Sequence, residues 1–202
     1  MKIVIASNNA GKLAELQTLL APLNMTLVRQ SELNIPEAAE PFKTFVENAL
    51  AKARHAAQLS GLPALADDAG LCVDAFGGQP GVDTAFYATQ FGYPKGDDHN
   101  VTALLEQMHN QTDRRAALVS TLVALRSADD PEPLIALGRW EGRILSTPRG
   151  SGGFGYDPVF FVPEAGLTFA EMPHSQKAEL GHRGRAFSAL KPRLPALVNA
   201  AG

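Results

Sequence analysis

Apolar and polar positions change period several times along the chain, and each change marks an element. Ile3 to Ala6 is a short unbroken apolar run that meets the turn residues Ser7-Asn8-Asn9-Ala10-Gly11, the pattern of a buried strand. Leu13, Leu16, Leu20 and Leu23 then recur at helical spacing and predict an amphipathic helix over 12–21. Met25 to Val28 reads as the next strand, and the polar, proline-punctuated stretch from Gln30 to Pro41 as a loop. Thr44 and Glu47 fit a capping box ahead of the stripe Phe45, Ala49, Ala53 and Ala57, a helix that Gly61 and Pro63 stop. Ala64–Ala66 and Leu71–Phe76 read as short strands flanking a turn at Asp67-Asp68-Ala69-Gly70, and Gly77, Gly78, Pro80 and Gly81 mark another turn. Val101, Leu104, Leu105 and Met108 predict a further helix. Two β-rich stretches follow, Ala116–Leu125 and Leu134–Ile144, and a glycine-rich segment from Arg149 to Pro158 leads into the strand Val159–Val162. From Gln176 on the chain reads as helical, with Pro192 and Pro195 set to break or kink its last stretch. Early β–α alternation followed by consecutive strands predicts a mixed sheet flanked by helices.

Composition narrows the class. At 202 residues the chain suits one domain, 1–202, with room for two lobes and a sizeable core. Its 45% apolar and 19% charged residues suit a folded globular protein. A net charge of −3 predicts no general attraction to nucleic acid. The single cysteine, Cys72, excludes an internal disulfide and a cysteine metal cage. No apolar run is long enough for a membrane span, so the expected compartment is the cytoplasm, with no membrane partner.

Four places can carry chemistry. Ser7, Asn8, Asn9, Ala10, Gly11 and Lys12 lie between a strand and a helix, where free N–H groups and a lysine suit a phosphate. A plain N-cap with a solvated lysine fits that loop equally well, and it is not a Walker A motif. Asp67 and Asp68, with Glu40 upstream, offer oxygen ligands for Mg²⁺ and a base for water, although turn-forming aspartates are commoner. Neighbours on a strand point to opposite faces, so at most one of the two faces a given cleft while the other caps the turn. In Gly150–Pro158 a formal G-x-G-x-x-G match precedes a strand rather than a helix, which rejects a dinucleotide fold. Phe154, Tyr156 and Asp157 there suit a nucleobase, though such aromatics are more often core. Lys177 and Gly181-His182-Arg183-Gly184 offer donors to a carbonyl-bearing base, or else a basic helix C-cap. His55, His99, His109 and His174 show no metal-binding spacing.

Taken together and in order, these pieces resemble the inosine triphosphate pyrophosphatase family: SNNAGK at 7–12, ENALAKARHAA at 47–57, ADDAGL at 66–71, GGQPGV at 77–82, GGFGYDPVFF at 152–161 and HRGRA at 182–186. The resemblance spans almost the whole chain. It implies an α/β fold with a long twisted mixed sheet and two lobes around a central cleft, a homodimer, and hydrolysis of inosine, deoxyinosine and xanthosine triphosphates to monophosphate and pyrophosphate. It implies Asp68 as the catalytic carboxylate that holds the metal and activates water, with Glu40 as a second ligand to Mg²⁺ or Mn²⁺. It implies residues 7–12 as the triphosphate and sugar loop, with Lys12 and Lys52 on phosphates. Phe154, Gly155, Tyr156, Asp157, Lys177, His182 and Arg183 become base and phosphate contacts. A 6-oxo purine accepts hydrogen bonds where adenine's amino group cannot, so donors from His182 or Arg183 are expected to reject adenine.

Three positions depart from that pattern. Ala69 stands where a serine is usual and leaves only backbone contact with substrate. Thr84-Ala85-Phe86-Tyr87 replaces Ser-Ala-Arg-Tyr and loses an arginine at Phe86, and Gly181 replaces the serine before His-Arg-Gly. The alternatives are a Maf-like nucleotide pyrophosphatase, whose Arg-rich loop is absent here, and a non-catalytic nucleotide-binding protein, against which Asp68 and Glu40 argue.

Overall fold

The computed structural model describes residues 2–23 and 25–197, so the final five positions of the expected C-terminal helical stretch lie outside the described residues. The elements run β1 (Lys2–Ile5), α1 (Ala10–Leu20), β2 (Thr26–Arg29), α2 (Phe45–Ser60), β3 (Ala64–Val73), α3 (Asp97–Gln107), β4 (Arg115–Leu125), β5 (Leu134–Ile144), β6 (Phe160–Val162), β7 (Leu167–Thr168), α4 (His174–Leu180) and α5 (His182–Leu190). Among the described residues the strands form one seven-stranded sheet in the order β2-β1-β3-β4-β5-β6-β7. It is mixed: β1 pairs parallel with β2 and β3, while β6 pairs antiparallel with β5 and β7. A mixed sheet flanked by helices is the expected class.

The chain divides into two compact units. Unit 1 takes the chain up to Asp68, Ser120–Gly138 and the part from Ala178 onward; unit 2 takes Ala69–Val119 and Arg139–Lys177. Unit 1 has a core on each face of its strands. Ile3, Ile5, Leu65, Leu122 and Ala124 pack with the apolar stripes of α1 and α5, and Val4, Ala6, Ala64, Ala66, Val123 and Leu125 with the alanine stripe of α2. Strands buried on both faces need apolar residues at successive positions, which is why β1 reads as an unbroken run. Unit 2 has a single core built on Leu71, Leu104, Trp140, Phe160 and Phe169, with Trp140 and Phe160 each edge-on to Phe169.

Caps set the helix limits. Asn9 opens α1, its side chain accepting the Lys12 N–H at 3.0 Å. Thr44 opens α2 through the expected box with Glu47, and Gly61 closes it at φ +67°, donating to Ala57. The C-terminal helical stretch breaks into α4, α5 and a 3₁₀ turn over Lys191–Leu197 that contains Pro195, as the prolines require.

Two expectations need correction. Asp67-Asp68-Ala69-Gly70 is not a turn between two short strands: β3 runs unbroken from Ala64 to Val73 through both aspartates. Ion pairs supply what a turn would have offered these carboxylates, so the strand need not end. His182 and Arg183 likewise do not cap a helix C-terminus; they open α5. That start lies hard against β5, because a Cβ on Gly138 would fall 1.9 Å from the carbonyl oxygen of His182.

Candidate active site

β1 makes its last pairing with β3 at Ile5 and Leu65, with one more backbone bond from the Ala6 N–H to the Leu65 carbonyl. Past that point the chain leaves the sheet through Ser7, Asn8 and Asn9 into α1, while β3 continues to Asp67 and Asp68. Parallel strands present their carboxyl ends in this way, where helix N-termini and free side chains gather. Alternation then sends the two aspartates to opposite sides of β3.

Asp67 enters a buried ion cluster. Its carboxylate takes Lys12 Nζ at 3.3 Å, Arg183 Nε at 3.0 Å and Ser120 Oγ at 2.6 Å. Arg183 Nη1 also donates to Glu15 Oε2 at 2.8 Å, and Glu15, Asp67 and Arg183 are all at most 3% exposed. Burial by itself pushes the Asp67 carboxyl up, but the Lys12 ammonium and the Arg183 guanidinium overcome it and hold the group well below the carboxylate range. Burial pulls Lys12 below its ordinary value, against the attraction of Asp67.

Asp68 enters a second, simpler arrangement. Lys52 on α2 places Nζ 2.8 Å from Asp68 Oδ1 and 2.7 Å from Glu40 Oε2, so one ammonium bridges the two carboxylates. Burial pushes Asp68 up to about 6 against the pull of Lys52 and Lys12. Burial also works against the charge of Lys52, but Asp68 and Glu40 outweigh it and raise its pKa. The pair's proton therefore rests on the lysine at neutral pH. Asp68 Oδ2 is buried with no hydrogen-bond partner, a position that costs free energy unless a cation or a proton faces it. A hard divalent cation is held through one or two carboxylates plus phosphate and water oxygens, and Asp68 with Glu40 supplies that donor set. Among the described residues no group of three or more His, Cys, Asp or Glu side chains could hold a metal by itself.

Unit 2 holds the glycine-rich loop. Asp157 folds back on it: Oδ2 accepts the Phe154 N–H at 2.9 Å and pairs with Lys177 Nζ. The ammonium of Lys177 lies 4.6 Å from the centre of the Phe154 ring. A Cβ on Gly153, itself at φ +79°, would fall 1.9 Å from Asp157 Oδ2, so only glycine leaves room for that carboxylate. Tyr156 is buried and donates its hydroxyl to the Thr84 carbonyl at 3.0 Å. The Gly155 N–H is accepted by Asp97 Oδ2 at 2.8 Å.

The structure thus brings Lys12 to Asp67, and Lys52 and Glu40 to Asp68, while Phe154, Gly155, Tyr156 and Asp157 lie in one loop that Lys177 reaches from α4. Ser7 accepts the Asn9 N–H, Asn8 donates to Glu37, and Ala10 and Gly11 open α1. Ala69 lies within β3, His182 is buried at the start of α5, and Arg183 belongs to the Asp67 cluster. Phe86 is exposed, with Lys95 Nζ 4.3 Å from its ring centre. Gly181 stands at the N-cap of α5 without a side-chain bond to the helix. Sequence reasoning missed Glu15, Ser120 and Asp97. Glu15 sits about 100° around the helix from Leu16, so no apolar period marks it. Ser120 lies inside an apolar strand, where the hydroxyl pair Ser120-Thr121 is the available signal.

Residues 3–193 match the profile of the Ham1 family. A protein of Polaromonas naphthalenivorans named dITP/XTP pyrophosphatase is 72% identical over 189 residues, 92% of this chain and 94% of that protein. One of the same name from Paracidovorax citrulli is 69% identical over 186 residues, 92% of this chain and 94% of its own. Among solved structures, a Ham1 protein from Coxiella burnetii superposes with a TM-score of 0.89 at 42% identity, covering 97% of this chain and 99% of its own.

Proposed function

The chain belongs to the Ham1 family, and on that premise we propose that it hydrolyses deaminated purine nucleoside triphosphates (inosine, deoxyinosine and xanthosine forms) to the monophosphate and pyrophosphate. The proposal includes Mg²⁺ as the metal, a homodimer and a cytoplasmic setting. No described helix is long and apolar enough to cross a membrane, which suits that setting.

The observation that carries the reading is Asp68, a buried carboxylate with one oxygen on Lys52 and the other without a partner. A group lifted to about 6 remains mostly ionised near neutrality and is basic enough to take a proton from water. Asp68 and Glu40 would hold the metal, which supplies neutralisation of phosphate charge and a more acidic water. Lys52 and Lys12 add positive charge for the phosphates. The Ser7–Lys12 loop offers the backbone N–H groups of the α1 terminus to the same anion. In unit 2, Phe154 offers a ring for stacking, Lys177 a donor to a carbonyl-bearing base, and Asp157 keeps both in place. We assign His182 a donor role toward the base. Arg183, held by two carboxylates, acts on this reading through Asp67 and Lys12 more than by direct contact.

The test is pyrophosphate release from deoxyinosine triphosphate with and without Mg²⁺, for the wild type and Asp68→Asn. Asparagine keeps the shape and removes both charge and basicity. Turnover is expected to fall by roughly 10²–10⁴-fold, the usual effect of losing a general base, with the thermal melt unmoved. A variant that keeps more than about a tenth of wild-type turnover overturns the assignment.

A further inference from the structure

Both polar groups of the peptide joining Phe154 to Gly155 are bonded, and the two bonds have very different origins. The Phe154 carbonyl accepts the Asp157 N–H at 3.3 Å, within the loop itself. The Gly155 N–H donates to Asp97 Oδ2 at 2.8 Å, across 58 residues of sequence. Asp97 is the first residue of α3, and the capping position before it is Gly96, which makes no side-chain cap. A carboxylate in the first turn is favoured by the helix dipole and ordinarily serves its own helix's free N–H groups. Asp97 is exposed and reaches to another segment instead.

The place where that bond lands gives it meaning. Gly155 is at φ +61°, a conformation glycine enters and leaves without steric penalty. With only its carbonyl held, by the 3.3 Å bond from the Asp157 N–H, a peptide next to such a glycine rotates about its neighbouring bonds at lower cost than with both groups held, and rotation would turn the Phe154 backbone with it. On the far side, Tyr156 is already fixed through Thr84.

We propose that Asp97 is a positioning residue for the base platform: by accepting the Gly155 N–H it fixes the 154–155 peptide, and through it the direction in which the Phe154 ring is presented beside Lys177. This rests on reading the loop as the nucleobase site.

Three proteins test it: wild type, Asp97→Ala, which removes the acceptor, and Asp97→Asn, which keeps an oxygen there. Steady-state kinetics on inosine triphosphate are expected to show KM raised about fivefold in the alanine variant, the worth of one modest hydrogen bond, with kcat changed less than about twofold. The asparagine variant is expected to recover most of the wild-type KM. Amide exchange at Gly155, followed by NMR, is expected to quicken in the alanine variant and to return toward wild type in the asparagine one. An unaltered KM in Asp97→Ala overturns the inference. So do equal impairments in both variants accompanied by a lowered melting temperature, which would mark a general structural role. A wild type that releases no pyrophosphate overturns the functional reading and this inference with it, whereas an active wild type with an unresponsive alanine variant overturns this inference alone.

Discussion

Unit 1 and unit 2 each bury a lysine against an aspartate, and they reach that state by opposite routes. In unit 1, Lys12 meets Asp67 and Lys52 meets Asp68 because strand alternation sends adjacent aspartates to opposite faces, where separate helices bring the cations. The Arg183 pairs are the most distant in sequence: 116 residues separate Arg183 from Asp67, and 168 separate it from Glu15. In unit 2, Asp157 first satisfies a backbone N–H three residues away and only then takes Lys177. One arrangement is side chain to side chain throughout, held by tertiary packing; in the other the side-chain pair rests on a backbone bond inside a glycine loop. Charge placed by packing belongs to the fold and is costly to remove. Charge placed by a loop belongs to the loop's shape, so its loss changes what the loop presents before it changes stability.

The largest expected effect breaks the unit 1 side of that contrast. Arg183→Ala leaves Asp67 and Glu15 buried with one cation fewer between them. Breaking a buried pair from one side typically costs about 3–5 kcal/mol, since the abandoned charge stays out of water. Urea unfolding followed by circular dichroism measures it. A loss under about 1 kcal/mol would mean that water reaches these carboxylates and that the cluster behaves as a surface pair.

The same contrast explains how much could be read beforehand. The Thr44–Glu47 box, the alanine stripe of α2, the limits of β5 and the proline break after α5 each have a local signal in the sequence, and they stand where that signal puts them. The family was legible because the resemblance lies in contiguous runs such as GGFGYDP. What could not be read was pairing at a distance. Asp67 and Asp68 look like turn formers to any local rule, yet they lie within β3 and pair with Lys12, Lys52 and Arg183. Glu15 looks like a solvated helix position until Arg183 arrives from the other end of the chain. Asp97 looks like a helix-start carboxylate until the loop meets it.

A smaller effect sharpens the unit 2 side. Phe154→Ala removes the ring but leaves the backbone N–H on Asp157 in place, so the loop should keep its course. Stacking on an aromatic ring is worth about 1–3 kcal/mol per base and is nearly blind to which base it is. Binding of inosine and adenosine triphosphates, measured by calorimetry, should therefore weaken about equally for both, with a melt close to wild type. A variant that weakens one nucleotide alone would show that Phe154 discriminates rather than stacks. A melt lowered as far as that of Arg183→Ala would erase the distinction between a charge cluster that carries the fold and a loop that carries recognition.

The smallest effect concerns the junction where α4 gives way to α5 in unit 1. Gly181 has the extended backbone of an N-cap, φ −65° and ψ 173°, but no side-chain oxygen to offer the free N–H groups of the first turn. Serine in that conformation places its hydroxyl on one of them without altering the chain's path. The gain of serine over glycine at an N-cap is only a few tenths of a kcal/mol. Gly181→Ser should therefore raise the urea midpoint slightly, and it should steady the turn that carries His182 while leaving the Arg183 ion pairs alone. The kinetic consequence follows from the donor role proposed for His182: the preference for inosine over adenosine triphosphate should widen modestly, in kcat/KM, with Lys12 and Asp68 untouched. If the variant melts lower than wild type, the hydroxyl has no room against the buried start of α5, and the glycine is there for packing. If stability rises while the preference stays fixed, the mobility of this turn is irrelevant to base reading, and recognition rests on the loop of unit 2.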